Sequence, residues 1–247
     1  MAKISIKTFI NELDSCFAKE NLAEAELCLL KWRELARTAG DRQGELTVQN
    51  EMTGFYRQTK NEKQGMEAVN NALALIDILG ISEKVSSATI YLNAATTMKA
   101  FGKSEEAMKI YEKAHRVYRL NLDESDPLFA GFYNNYALAL QDLKRYSEAE
   151  EYFLKAIKIT EKSSKNELET AVSLVNLAHL YYDMNNEDDR VNSVMEKALG
   201  ILENPDFFGY QKYAFTCRKC APSFGYFGFF LAEKTLNERA DRIYAGS

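Results

Sequence analysis

The sequence predicts an all-α protein built from stacked antiparallel helical hairpins, and three observations support this prediction. The 247 residues include only three prolines and 12 glycines, which is few for the turns of an all-β fold. The hydrophobic fraction is 46% and the charged fraction is 27%, as in folded globular proteins. One helical pattern of small and large residues recurs with a 42-residue period, and a constant period of this kind is typical of repeat proteins.

The recurring pattern places a small, a large and a small residue on one face of the second helix of each hairpin. It is clearest in the third and fourth units, and the same step extends it in both directions. The matched residues are Ala107, Tyr111 and Ala114; Ala149, Phe153 and Ala156; Val191, Met195 and Ala198; Gly65, Val69 and Ala72; and Ala23, Leu27 and Leu30. We therefore expect five hairpins in one register, with small residues that let neighbouring helices approach closely.

A first helix precedes each of these second helices. Residues 88–101 and 130–143 align at the same spacing, and residues 174–184 correspond to them in the fifth unit. The fifth unit holds one additional residue, which we assign to the turn at residues 185–187 because turns accept insertions at low cost.

Three short motifs predict where helices begin. Asp126–Pro127 and Asn204–Pro205 each read as a capping residue followed by a proline at the first helical position. Ser147 with Glu150 three residues later reads as a capping box ahead of a helix.

Together these features resemble the tetratricopeptide repeat (TPR), and the residues that carry the resemblance lie in the third and fourth units. They are Tyr91, Ala94, Ala95, Gly102, Ala107, Tyr111 and Ala114, then Tyr133, Tyr136, Ala137, Leu140, Tyr146, Ala149, Phe153 and Ala156. Because the period exceeds the usual repeat of about 34 residues, the chain looks more like the long repeats of kinesin light chains and bacterial peptide-pheromone receptors. The resemblance implies a right-handed superhelix, a TPR-like solenoid, with five hairpins over residues 1–203 and a divergent C-terminal capping hairpin over residues 204–247.

The first helices of such a solenoid line its concave surface, so their positions not used for packing form the predicted binding face. Asn93, Asn135 and Asn176 are unfavourable inside helices, yet a carboxamide can both donate to and accept from a peptide backbone. The resemblance implies that these asparagines bind ligand main chain, and the alternative is that each amide links adjacent hairpins. The predicted binding residues are Asn50, Arg57, Asn93, Thr96, Lys99, Asn134, Asn135, Leu138, Gln141, Asn176 and His179.

No motif in the sequence indicates catalysis. His115 and His179 have no cysteine or carboxylate at metal-ligand spacing, and no glycine-rich phosphate loop, HExxH or GxSxG occurs. We therefore predict no enzyme, no cofactor and no metal, but a scaffold that binds a protein or peptide. The alternative is a signalling-peptide receptor or regulator that lacks its own DNA-binding domain.

Charge and hydropathy limit the partners and the location. The net charge is −5 and the basic residues are dispersed, which argues against binding to nucleic acid. No apolar run has the length of a signal peptide or membrane span, so we expect a cytoplasmic protein without membrane contact.

The C-terminal stretch contains a CxxC pair and an aromatic run. Cys217 and Cys220 lie three residues apart on a predicted helix, which favours packing, with thiol redox chemistry as the alternative. We interpret the aromatic residues between Pro222 and Phe230 as a long loop packed against the fifth unit, with a homodimer interface or a mobile lid as alternatives.

Overall fold

The computed structural model describes residues 3–19, 21–162, 166–185, 189–207 and 210–246. Within these ranges the chain forms twelve α-helices and no strand. The helices are α1 Ile6–Ala18, α2 Leu22–Ala39, α3 Arg42–Gln58, α4 Glu62–Leu79, α5 Val85–Ala100, α6 Ser104–Asn121, α7 Pro127–Asp142, α8 Tyr146–Thr160, α9 Glu167–Met184, α10 Arg190–Leu202, α11 Gln211–Tyr226 and α12 Phe230–Ala245. The predicted all-α fold class is confirmed.

The chain divides into two compact units, Met1–Asp123 and Glu124–Ser247. The first unit contains α1 to α6 and the second contains α7 to α12, so each consists of three helical hairpins. Within the first unit α3 packs against α5, and within the second α9 packs against both α7 and α11. The first helices α3 and α5, and likewise α7, α9 and α11, therefore lie side by side. The proposed boundary at residue 203 stays a prediction.

The second helices of four hairpins bury the residues that the repeat predicts. Tyr111 and Phe153 are fully buried, and so are the small residues one turn away on either side of them. Val69 and Met195 occupy the same position in the second and fifth hairpins and are also fully buried. Large side chains at this position thus fill the core of each hairpin, and the alanines leave room for the adjacent helix.

The predicted register is wrong in the first hairpin. Leu27 is 68% exposed, whereas Leu29 is fully buried, with Trp32 also in the core. These buried residues lie 40, not 42, residues before Val69 and Ala72. A shift of two positions turns a helix by about 200° and exchanges its buried and exposed faces.

Connection lengths explain the shorter first repeat. The connection of α2 to α3, residues 40–41, is three residues shorter than that of α4 to α5, residues 80–84. Helix α3 is one residue longer than α5, which leaves a difference of two residues between the repeats. Gly40 and Gly80 end their helices with φ of +65° and +63°, and they keep the same 40-residue spacing. The spacing of these two terminating glycines is a sequence signal for the true register.

Of the predicted helix starts, Asp126–Pro127 is confirmed. The Asp126 side chain accepts a hydrogen bond of 2.9 Å from the backbone N–H of Leu128, and Pro127 is the first helical residue. Asn204–Pro205 starts the 3-10 helix Pro205–Phe207, where the Asn204 side chain accepts a hydrogen bond of 3.1 Å from the backbone N–H of Asp206. It does not start α11, which begins at Gln211.

The predicted capping box at Ser147 is wrong, since α8 already begins at Tyr146 and Ser147 lies inside its first turn. Glu150 points to the neighbouring hairpin instead, where its Oε1 accepts from Arg190 Nη1 at 2.9 Å. The additional residue assigned to the turn at 185–187 falls largely outside the described residues.

One turn conformation recurs between the two helices of three hairpins. Lys60, Gly102 and Lys144 follow one another at the 42-residue spacing of the repeat and have φ of +56°, +75° and +59°. After each, the next N–H bonds back to a carbonyl five residues earlier, for example Arg145 N to Leu140 O at 2.9 Å. The left-handed conformation favours glycine, so the two lysines are strained where Gly102 is not.

Replacing Lys144 with glycine is therefore expected to stabilise the second unit by about 1 kcal/mol, because the left-handed penalty of about 1–2 kcal/mol exceeds the loss of chain entropy. The measurement is the free energy of unfolding from urea denaturation. Gly102→Lys is the reciprocal variant and should destabilise the first unit. If both changes act in the same direction, the turn does not control stability.

The C-terminal aromatic run is helical, which corrects the predicted long loop. Helix α11 continues through Pro222 to Tyr226, and only residues 227–229 connect it to α12. Phe224 is fully buried and its ring lies 6.0 Å from that of Phe229, so the apolar core extends the helix past the proline. The predicted contact with the fifth hairpin does occur, because the rings of Tyr226 and Phe227 lie 5.5 and 5.8 Å from that of Tyr182 in α9.

Among the described residues, no helix combines the length and the apolar character needed to cross a bilayer.

Candidate functional site

All eleven predicted binding residues lie on the first helices α3, α5, α7 and α9, and all are half-buried. They are neither core residues nor fully solvated ones. Five belong to the first unit and six to the second, so each unit carries its own polar face.

In the first unit, α3 and α5 are joined by polar side chains. Asn93 Nδ2 donates to Asn50 Oδ1 at 2.9 Å, and Asn50 Nδ2 donates to Glu51 Oε1 at 3.2 Å. Two turns further along α3, Arg57 Nη1 donates to Thr97 Oγ1 at 3.4 Å. These bonds place a guanidinium and two amides along one edge of the two helices.

Burial shifts the pKa of two charged groups on this face. Partial burial raises the pKa of the Glu51 carboxyl above its ordinary value, and it lowers the pKa of the Arg57 guanidinium. Thr96 shares a hydrogen bond of 3.1 Å with the Tyr111 hydroxyl, so this side chain is turned towards its own hairpin. Lys99, also half-buried, follows one turn after Thr96.

The second unit repeats the amide link. Asn176 Nδ2 of α9 donates to Asn134 Oδ1 of α7 at 2.9 Å, and two turns along, Gln141 Nε2 donates to Asp183 Oδ2 at 2.7 Å. Asn135 instead donates from Nδ2 to the carbonyl of Gly131 in its own helix at 2.8 Å.

Asn93, Asn135 and Asn176 occupy one repeat position, but their side chains bond to different partners and not to one another. The linked pairs are Asn50 with Asn93 and Asn134 with Asn176. Asn93 and Asn176 therefore link adjacent hairpins, which was the alternative interpretation of these residues. An amide has two N–H donors and an acceptor with two lone pairs, so each linked amide keeps further bonding capacity for a ligand. Binding by these residues stays a prediction.

His179 is covered by the end of α11. Its Nε2 lies 2.8 Å from Ser223 Oγ, and its ring centroid lies 4.8 Å from Phe227 and 5.6 Å from Tyr226. Burial lowers the pKa of His179 below its ordinary value, and the nearby Asp183 opposes this shift only in part. Burial therefore favours the neutral form of the imidazole.

A lowered pKa makes the second unit less stable in mild acid. The unfolded chain protonates His179 near its ordinary pKa of about 6.5, while the folded chain resists, so stability falls as the pH drops through and below that value. We expect the urea midpoint to decrease from pH 7.5 to pH 5.5 in the wild type and to decrease less in His179→Gln. Equal decreases in the two proteins would contradict this origin.

A cavity of about 220 Å³ opens between α7, α9 and α11 of the second unit. Asn134 is the predicted binding residue that borders it, and Phe215, Thr216 and Lys219 of α11 form another side. Sequence periodicity did not reveal these α11 residues, because it predicts that the sixth hairpin caps the array and not that it lines a binding surface. Their spacing of about one helical turn, which places them on one face of α11, was the feature of the sequence that could have identified them.

The thiols of the CxxC pair are part of the core. Cys217 is fully buried and Cys220 is 1% exposed, and both are free cysteines. Burial raises the pKa of both thiols, that of Cys220 to about 12. Because the thiolate is the reactive form, this environment favours packing over thiol chemistry.

Known proteins share both sequence and architecture with this chain. Residues 128–204, which include α7 to α10, match the tetratricopeptide repeat family model. A stretch of 96 residues is 40% identical to the regulatory protein RapK of Bacillus subtilis (strain 168). This stretch is 39% of the chain and 23% of RapK, so the chain aligns with about a quarter of that relative.

Two solved structures show the same fold. A Rap protein complexed with Competence and Sporulation Factor superposes with a TM-score of 0.61 at 15% identity, over 96% of this chain and 74% of the other. The TPR-like repeats of a kinesin light chain of Podosopora anserina superpose with a TM-score of 0.58 at 19% identity, over 81% and 95%. The hairpins, their recurring buried positions and these superpositions show that the chain has the fold of tetratricopeptide-type repeat proteins, with long repeats.

Proposed function

We propose that the chain binds a peptide, or an extended segment of a partner protein, on the faces formed by its first helices, and that it acts by binding and not by catalysis. The observation that carries this proposal is the pair of amide links in the two units. In each link, half-buried carboxamides that retain unused hydrogen-bonding capacity lie beside other polar groups.

An extended peptide supplies the matching groups. Its backbone loses hydrogen bonds to water when it docks, and carboxamides can replace both the donor and the acceptor. Arg57, Lys99 and Asp183 give the faces both signs of charge, so side-chain contacts can add selectivity without a strong preference for one ligand charge.

A peptide library displayed on an array tests the proposal. We expect bound peptides to lose about fivefold in affinity with Asn176→Ala, the effect of one hydrogen bond of about 1 kcal/mol. Asn192→Ala is the matched control, because Asn192 is exposed on the second helix α10 of the same hairpin. Absence of any binding peptide, or an equal loss in the control, would overturn the proposal.

The similarity to RapK favours a more specific version, a signalling-peptide regulator. RapK is a regulatory protein, and a Rap protein of the same fold has been solved with Competence and Sporulation Factor. In this version the ligand is a short free peptide. Acetylation and amidation of its termini should then weaken binding, whereas an internal protein segment would bind equally well with blocked ends.

Dimerisation through the C-terminal aromatic segment stays a prediction, as do the cytoplasmic location and the absence of a nucleic-acid partner. Phe230 and Leu231 at the start of α12 are 70% and 78% exposed. Sedimentation velocity should show a dimer that dissociates in the double variant Phe230→Ser and Leu231→Ser. A monomeric wild type contradicts the prediction.

A further inference from the structure

The cavity of the second unit has the size of one side chain. Its volume of about 220 Å³ is below the range of about 300–1,000 Å³ that is usual for small-molecule and cofactor sites. Its walls include Gly131 of α7, Val172 of α9 and Phe215 of α11, so most of the surface offered to an occupant is apolar.

Two polar side chains line this space with hydrogen-bonding groups that no described residue uses. Ser173 is 3% exposed and lines the cavity, and it makes no hydrogen bond with a described residue. Asn134 also lines the cavity, and while its Oδ1 accepts from Asn176, its Nδ2 donates to no described residue. Both atoms, the Ser173 hydroxyl oxygen and Asn134 Nδ2, remain accessible from the cavity, so an occupant can form hydrogen bonds with them.

Two lysines of α11 line the cavity. Lys212 Nζ pairs with Glu169 Oε1 at 2.6 Å, which neutralises both. Lys219, one helical turn beyond Phe215, makes no ion pair with a described residue. An apolar space beside a single cation is complementary to a large apolar group that stands next to a carboxylate.

We propose that this cavity binds one large apolar side chain of the ligand, aromatic or long aliphatic, which is adjacent to a carboxylate that Lys219 contacts. The Asn134–Asn176 link borders the cavity, so a peptide backbone on the amides places its side chain in it. This inference rests on the proposed peptide binding and adds the class of residue recognised in the second unit.

Small probes test the cavity independently of any peptide. N-acetyl-L-phenylalanine supplies the ring and the carboxylate, its primary amide removes the charge, and N-acetyl-L-alanine removes the ring. Titrated into the full chain and followed by NMR, the first is expected to bind at millimolar concentration. The amide should bind about threefold more weakly, as for an exposed charge pair, and the alanine derivative at least tenfold more weakly.

Two variants locate the binding. At Gly131, which lines the cavity, an added Cβ meets no atom within 4 Å, so the side chain of Gly131→Leu is expected to begin in open space and to reduce binding at least tenfold. Gly200→Leu is the matched control, since Gly200 is also helical, equally unhindered and outside the cavity, and it should bind as the wild type does. Lys219→Gln should abolish the difference between the acid and its amide.

The outcomes separate this inference from the proposed function. Unchanged binding in Gly131→Leu, or no binding of N-acetyl-L-phenylalanine at millimolar concentration, overturns the cavity site. Equal binding of acid and amide overturns the carboxylate contact. If array peptides lose affinity with Asn176→Ala but not with Gly131→Leu, the proposed function stands and the inference fails. If the probe binds in the cavity and no array peptide binds, the proposed function fails.

Discussion

Replacing Leu29 with alanine is expected to lower the free energy of unfolding of the first unit by about 2–5 kcal/mol. Leu29 is fully buried in the core that α1, α2 and α3 share, together with Phe9 and Met52. Removal of its side chain leaves a cavity that the surrounding helices fill only in part. Chemical denaturation followed by tryptophan fluorescence is a suitable measurement, because Trp32 lies in the same core.

Leu27→Ala is the matched control, with the same chemistry two residues away. Leu27 is 68% exposed, so its loss should change the free energy by less than about 0.5 kcal/mol. A larger effect at Leu27 than at Leu29 would restore the 42-residue register for the first hairpin and contradict the 40-residue spacing.

Phe153→Ala is expected to destabilise the second unit by about 3–5 kcal/mol. The side chain is fully buried at the large position of α8, between Ala149 and Ala156, which are also fully buried. Because each hairpin of a repeat protein is stabilised mainly by its neighbours, faster exchange of backbone hydrogens should extend from α8 into α7 and α9. Hydrogen exchange resolved by peptide measures this spread.

The control for this prediction is Leu154→Ala. Leu154 is the next residue in α8 and is 48% exposed, so its replacement should leave exchange in α7 and α9 unchanged. Protection that is lost equally in both variants would mean that the large repeat position has no special role in the core.

Much of the fold could be predicted because the repeat encodes local packing many times over. Positions such as Tyr111 and Phe153 recur with small neighbours, and a helix of 3.6 residues per turn places them on one face. The proposed binding face was chosen from the same register, and all eleven residues selected for it are half-buried. Errors arose where the spacing changes, as in the first hairpin, and where the chain departs from the repeat, as in α11.

The pairing of polar groups could not be predicted from the repeat. Asn134 and Asn135 are adjacent in sequence, yet one bonds to the next hairpin and the other to its own helix. Which amide reaches the next hairpin depends on how helices that are distant in sequence are placed relative to each other. A difference of one residue along a helix turns the side chain by about 100° around the helix axis. His179 likewise receives its covering residues from α11, 44 residues further along the chain.

By itself the sequence determined the helical hairpins, their register in four units and the helix faces on which polar residues lie, because each depends on periodicity within or between neighbouring segments. The tertiary structure alone decided the register of the first hairpin, the partners of the asparagines and the existence of the cavity between α7, α9 and α11. Each of these depends on connection lengths and on the relative placement of helices, which a periodic pattern does not specify.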